Sequence, residues 1–221
     1  MKILFAFPVF AALALAAQDK EKDPDPRPFT DVFLVDEKDL ASTGTNPYFS
    51  LEPGYQLVLE NPAKKEVLTI TVLEETKKIG AVETRIVEER ETVDGKETEV
   101  SRNYFAICKR TNSVYYFGED AGGAWIHGEK GARFGLIMPG TLLLGARHYQ
   151  EIAPGAAMDR AEVMSLSETV ETPAGKFEKC LKVLETTPLE PDDKANKFYA
   201  PGVGLVREGG MKLVRHGKKA K

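Results

Sequence analysis

Alternation of apolar and polar residues over short runs dominates the chain after residue 45. Residues 55–60 form a short apolar run. Over 66–74, Val67, Leu68, Ile70, Val72 and Leu73 dominate, and Thr69 and Thr71 add further β-branched side chains, which suit a pleated, half-buried surface. Residues 79–93 carry Val82, Thr84 and Ile86 on one parity against Glu83 and Arg85 on the other, which predicts a strand with one wet face. Asp94-Gly95 then supplies the chemistry of a tight hairpin, whose central residues need positive φ. Residues 97–107 are expected to return toward the core, and Thr111-Asn112-Ser113 to turn the chain into 114–117.

The middle is punctuated by Gly118, Gly122, Gly123, Gly128, Gly131, Gly135 and Gly140, a spacing that builds loops and short strands rather than a long helix. Strand patterns resume over 160–171 and 177–186, joined by the turn Thr172-Pro173-Ala174-Gly175. An exposed acidic loop is expected over 190–193. Lys197-Phe198-Tyr199, residues 204–208 and 211–214 read as closing strands. No amphipathic helical period follows residue 40. The prediction is a mainly β domain: an antiparallel sheet of about ten strands, rolled into a barrel-like or sandwich form that hides its edges.

The two ends read differently. Met1-Lys2 followed by the mostly apolar run 3–17, ending in small residues, has the layout of a secretory signal peptide cut near Ala16 or Ala17. The run is shorter than the ~20 residues a bilayer core requires, so no membrane span is expected in the mature chain. Residues 18–28, with Asp23-Pro24-Asp25-Pro26-Arg27-Pro28, read as a flexible linker, because proline removes backbone donors and nothing else there is apolar. The expected organisation is a leader over 1–17, a linker over 18–28, a single β domain over 29–215 opening on a short strand at 29–35, and a basic tail over 216–221. The expected destination is the periplasm or the medium.

Composition narrows the partners. Thirty basic and 34 acidic side chains give a net charge of −4, which supplies no footprint for nucleic acid or anionic lipid. Cys108 and Cys180 are the two cysteines, both in apolar strand-like runs. Export permits a disulfide between them, and burial as small hydrophobes is equally compatible with the pattern.

Three segments carry a resemblance: residues 115–120, the turn 172–177, and Tyr199-Ala200-Pro201-Gly202-Val203-Gly204-Leu205-Val206. The last two resemble a pattern in a family of exported bacterial β-proteins, in which the Thr-Pro-Ala-Gly turn and the Tyr-Ala-Pro-Gly-Val-Gly-Leu-Val segment belong to the C-terminal half. The resemblance spans 160–208 firmly and 45–210 loosely. It implies export and a β-fold, and it carries over no catalytic residue.

Candidate chemistry is sparse. No Gly-x-Ser-x-Gly elbow and no phosphate loop occur, and His127, His148 and His216 do not share metal-ligand spacing. Asp159 and Glu162 are a conceivable acid–base pair, but three residues of separation do not place them across a cleft. Glu119, Asp120, Asp159 and Glu162 are the candidate metal ligands. Ca²⁺ is the cofactor they would suit, since it takes six to eight oxygen ligands. Tyr48, Tyr116, Trp125, His127 and Tyr199 are the candidate ligand-binding residues, able to hold a small apolar or sugar-like molecule through ring faces and hydroxyls.

These features point first to a non-enzymatic periplasmic or secreted binding or envelope-accessory protein, partnered by such a ligand or by another envelope protein. A carboxylate-dependent hydrolase or calcium-stabilised enzyme is the alternative, and requires Glu119, Asp120, Asp159 and Glu162 to converge. A structural interaction module is the third, and requires a broad apolar patch.

Overall fold

The structure, a computed structural model, describes residues 27–121 and 124–218. The expected leader, most of the expected linker, Gly122, Gly123 and the last three residues of the basic tail lie outside them. Among the described residues the strands are β1 (Leu40–Ala41), β2 (Thr45–Asn46), β3 (Phe49–Ser50), β4 (Tyr55–Asn61), β5 (Glu66–Ile79), β6 (Val82–Val93), β7 (Lys96–Cys108), β8 (Val114–Asp120) and β9 (Trp125–Ile126). They continue as β10 (Arg133–Met138), β11 (Arg147–Tyr149), β12 (Glu151–Ile152), β13 (Arg160–Thr172), β14 (Gly175–Thr186), β15 (Lys194–Ala200), β16 (Gly204–Glu208) and β17 (Met211–Lys218).

The mainly antiparallel β prediction holds, but the count is seventeen strands rather than about ten. The excess consists largely of two- and three-residue pieces, too short to show alternation. Three boundaries also move. The strand pattern read over 66–74 continues to Ile79 as β5, and the turn into β6 lies at Gly80-Ala81. Residues 29–35 form no strand; Thr30 makes one bridge to His148. The last strand extends to Lys218, which pairs with Tyr55, so the tail is ordered past residue 215.

The sheet runs β11-β13-β14-β15-β16-β17-β4-β5-β6-β7-β8-β10-β12, with β1 added to β7 and β9 to β8; β2 and β3 pair separately. Its two ends, β11 and β12, are consecutive in the chain. One extended segment therefore pairs with β13 through Arg147–Tyr149 and with β10 through Glu151–Ile152, and nearly closes the barrel. Closure needs Gly135 on β10: a Cβ there would overlap the Gln150 carbonyl. Closing a sheet removes its unpaired edges.

The interior cluster includes Leu59, Val87, Phe105, Val163, Leu181 and Leu213. A second cluster lies on the other face of β6–β8, where Phe33, Val35 and Leu40 pack over Ile86, Tyr104, Ala106 and Phe117. The wet face expected for β6 is corrected from the other side, where the parity of Arg85 continues through Val87 into the barrel interior, while the apolar parity lies under the cover. Ile86 and Thr84 lie beneath it, and Arg85, expected outside, is 6% exposed. Arg85 fills the bulge where β5 slips register between Val72 and Thr76, donating to the Leu73, Glu74 and Glu75 carbonyls at 3.3, 2.7 and 3.3 Å. It also donates to Ser42 O at 3.0 Å and Thr43 Oγ1 at 2.7 Å.

One end of the barrel is plugged by the β2–β3 hairpin. Asn46 donates to the Asn112 and Pro139 carbonyls, both at 2.9 Å, and Gly202 N donates to Pro47 O at 2.6 Å. Tyr55 Oη donates to Val203 O at 2.9 Å. The Tyr-Ala-Pro-Gly-Val-Gly segment thus anchors the plug. Cys108 and Cys180 are both buried free thiols, one in each core.

Candidate functional site

Carboxylates gather inside the barrel at the end opposite the plug. On β6, Glu89 and Glu91 follow Val87 on the interior parity, since successive side chains of a strand alternate faces. Asn103 of β7 pairs with Val87, Glu119 of β8 with Asn103, and Trp125 of β9 with Glu119, so the four form one lateral row. Tyr116 shares this face with Glu119 despite the spacing of three. A bulge in β8 opposes Phe105 to Tyr116 and Tyr104 to Gly118, and the extra residue reverses the parity.

The Tyr116 hydroxyl donates to Asn103 Oδ1 and lies 3.3 Å from Glu119 Oε2. Its ring stacks on Phe105 at 4.6 Å and meets Trp125 edge-on at 5.2 Å. Across the lumen, Lys197 Nζ lies 2.8 Å from Glu185 Oε1 and 3.4 Å from Glu208 Oε1. On the closing side, Asp159 N donates to Glu151 Oε1 at 3.0 Å, and Gln150 N to Asp159 O at 2.8 Å.

Electrostatics bind these groups into one unit. Burial pushes Glu89 up to about 7; Lys197 opposes the rise, while Glu208, Glu119 and Glu91 reinforce it. Burial, then the neighbouring Asp159 and Glu185, holds Glu151 well above the usual carboxylate range. Asp159 rises to about 6 through burial and Glu185, against Lys197. Glu119 and Glu91 are raised by burial first. A side-chain hydrogen bond between Glu151 and Asp159 opposes the rise of Asp159. Glu89 is half-buried, and burial dominates its shift. Lys197 acts on Glu89 and Asp159 among these carboxylates; burial disfavours its charge, but Glu185 and Glu208 outweigh burial and hold its pKa well above the usual lysine value.

Two polar atoms in the same rows are buried without a partner: Trp125 Nε1 and His148 Nε2. Trp125 is 5% exposed and His148 4%. His148 pairs with Ala161, and Ala161 with Glu185. Burial lowers His148 to about 4, so it is neutral; its ring also bonds the Leu136 backbone, which opposes the shift.

The residues singled out from the sequence divide by location. Glu119 and Asp159 share the lumen. Asp120 lies on the outer face, where Tyr104 Oη is 3.4 Å from it, and Glu162 is bound outside by Arg27 at 2.7 Å and Arg147 at 3.4 Å. Tyr116, Trp125 and Tyr199 belong to the interior cluster. Tyr48 sits at the plugged end, donating to Lys179 O at 3.2 Å. His127 lies on the outer face between Phe117 and Phe134, its Nδ1 accepting from Phe134 N at 3.1 Å. Glu89, Glu91, Glu151, Glu185 and Glu208 were not foreseen. The available signal was a carboxylate on an apolar parity, as in Val87, Glu89, Glu91.

Among the described residues, no group of three or more His, Cys, Asp and Glu has the geometry to hold a metal ion. Nor is any helix long and apolar enough to cross a membrane. A separate cavity of about 310 Å³ opens beside the plug, between Asn46, Phe49, Glu52, Tyr55, Val203 and Lys218.

No family model and no curated protein matches the chain. A crystal structure of a "putative lipoprotein" from Parabacteroides distasonis ATCC 8503 is similar at 12% identity with a TM-score of 0.41, covering 79% of this chain and 100% of that one. That likeness is too distant to assign a function or a compartment.

Proposed function

We propose that the protein is a non-catalytic binding protein of the cell envelope or the exported fraction, and that the carboxylate-lined end of its lumen is the binding site. The observation that carries this reading is the pair of unpartnered atoms, Trp125 Nε1 and His148 Nε2, beside the carboxylates. A buried polar group without a partner costs about 1–3 kcal/mol. A ligand that completes both hydrogen bonds recovers that cost. The leader pattern over 1–17 and the Thr-Pro-Ala-Gly and Tyr-Ala-Pro-Gly-Val-Gly-Leu-Val motifs support export.

A hydrolase is less well supported. Glycosidase carboxylates stand about 5–9.5 Å apart across the scissile bond, whereas Glu151 and Asp159 hydrogen-bond each other. A calcium-stabilised enzyme is likewise disfavoured by the placement of Asp120 and Glu162 outside the lumen.

The test is native mass spectrometry of gently purified protein, combined with the fluorescence of Trp125, the chain's single tryptophan. A co-purifying small molecule whose removal shifts the indole emission supports the reading. A bare protein, or a bound species whose removal leaves the emission unchanged, overturns it.

A further inference from the structure

Independently of the lumen reading, we infer that the cavity of about 310 Å³ beside the plug takes a small zwitterion with an apolar side chain, of the class of a free apolar amino acid or a dipeptide. Small-molecule sites run from about 300 to 1,000 Å³, so this one admits a compact ligand rather than the surface of a folded partner.

Its walls are held before any ligand arrives. On one side, the β2–β3 hairpin is fixed by Asn46. The Asn46 amide group donates to the Asn112 and Pro139 carbonyls, and its Oδ1 accepts from Tyr48 N at 2.8 Å. On the other side, Tyr55 Oη is engaged with Val203 O at 2.9 Å, which pins the ring that lines the cavity. Pro47, Phe49 and Val203 complete the apolar lining.

Two opposite charges border this lining. Glu52 is placed by a turn in which Gly54 has a φ of 80° and Tyr55 N donates to Glu52 O at 3.0 Å. Lys218 is the β17 partner of Tyr55, and directly opposed residues share one face of a sheet. Both side chains line the cavity, yet among the described residues neither makes a hydrogen bond or an ion pair, with the other or with any neighbour. An ammonium group suits Glu52, a carboxylate suits Lys218, and an apolar side chain suits Phe49, Tyr55 and Val203. A simple anion meets repulsion from Glu52, and a simple cation from Lys218.

Full-length purified protein is titrated near neutral pH with leucine, leucyl-leucine, N-acetylleucine and leucinamide, followed by calorimetry and ligand-observed NMR. At least one of the two zwitterions is expected to saturate. It should bind about fivefold or more tighter than N-acetylleucine, which lacks the ammonium, and than leucinamide, which lacks the carboxylate. Glu52→Gln and Lys218→Met lie off the buried core, and circular dichroism checks their folding. Each is expected to weaken that zwitterion about fivefold or more, while Glu52→Gln does not weaken N-acetylleucine and Lys218→Met does not weaken leucinamide. A zwitterion that binds no tighter than either singly charged analogue overturns the assignment, as does the absence of saturable binding of both zwitterions up to about 10 mM. Binding that survives both substitutions overturns it too; if that binding is then lost in Glu119→Gln, the ligand lies in the lumen and the lumen reading stands.

Discussion

Replacing Lys197 by methionine keeps the length of the side chain and removes the ammonium that restrains the lumen carboxylates. Deleting one partner of a buried ion pair costs about 3–5 kcal/mol, and a charge-assisted hydrogen bond contributes about 1.5–3 kcal/mol. Lys197 has two acidic partners, at 2.8 and 3.4 Å, and its side chain is 21% exposed. Partial exposure favours the lower end, a loss of about 3 kcal/mol at about pH 8. For a chain of this size that corresponds to a fall in Tm of roughly 6–12 °C. The pH dependence has a definite sign. Lys197 opposes the rise of Glu89, at about 7, and of Asp159, at about 6, so its loss lifts both further. A carboxyl raised above its unfolded value contributes stability that is complete below the unfolded pKa and lost as pH rises through the folded one. The penalty of Lys197→Met is therefore largest above pH 7 and shrinks on acidification. Urea unfolding of both proteins at about pH 8 and about pH 5.5 measures it. A penalty under about 1 kcal/mol at the higher pH, or one that grows on acidification, refutes the reasoning.

Three further outcomes follow from the fold. His148 has its pKa held at about 4 by burial, so its contribution is present above its unfolded pKa of about 6.5 and lost as pH falls through 4. His148→Leu should flatten that acid limb, worth up to about 3 kcal/mol, in urea unfolding across a pH series. Arg85→Met strips donors from the bulge carbonyls of β5 and should cost about 2–4 kcal/mol by the same assay. Gly135→Ala drives a Cβ into the Gln150 carbonyl. It should destabilise by about 1–3 kcal/mol and raise hydrogen exchange first over 147–152, the segment that closes the barrel.

The sequence by itself determined the local structure. β-branched runs made strands because their side chains suit a pleated surface. Asp94-Gly95 made the β6–β7 hairpin, with φ of 51° and 73°, because both residues tolerate the left-handed region. Only the tertiary structure decided what those strands enclose. A period of two says that Ile86 and Val87 face opposite ways, but the N-terminal segment packed over β6–β8 made both faces interior. The β8 bulge turned Glu119 inward beside Tyr116, a one-residue shift that alternation cannot register. Barrel closure then brought Glu89, Glu119, Glu151, Asp159 and Lys197 within electrostatic reach of one another from five separate stretches of chain. Contacts of that kind depend on register and curvature summed over many strands, and no short window of residues encodes them.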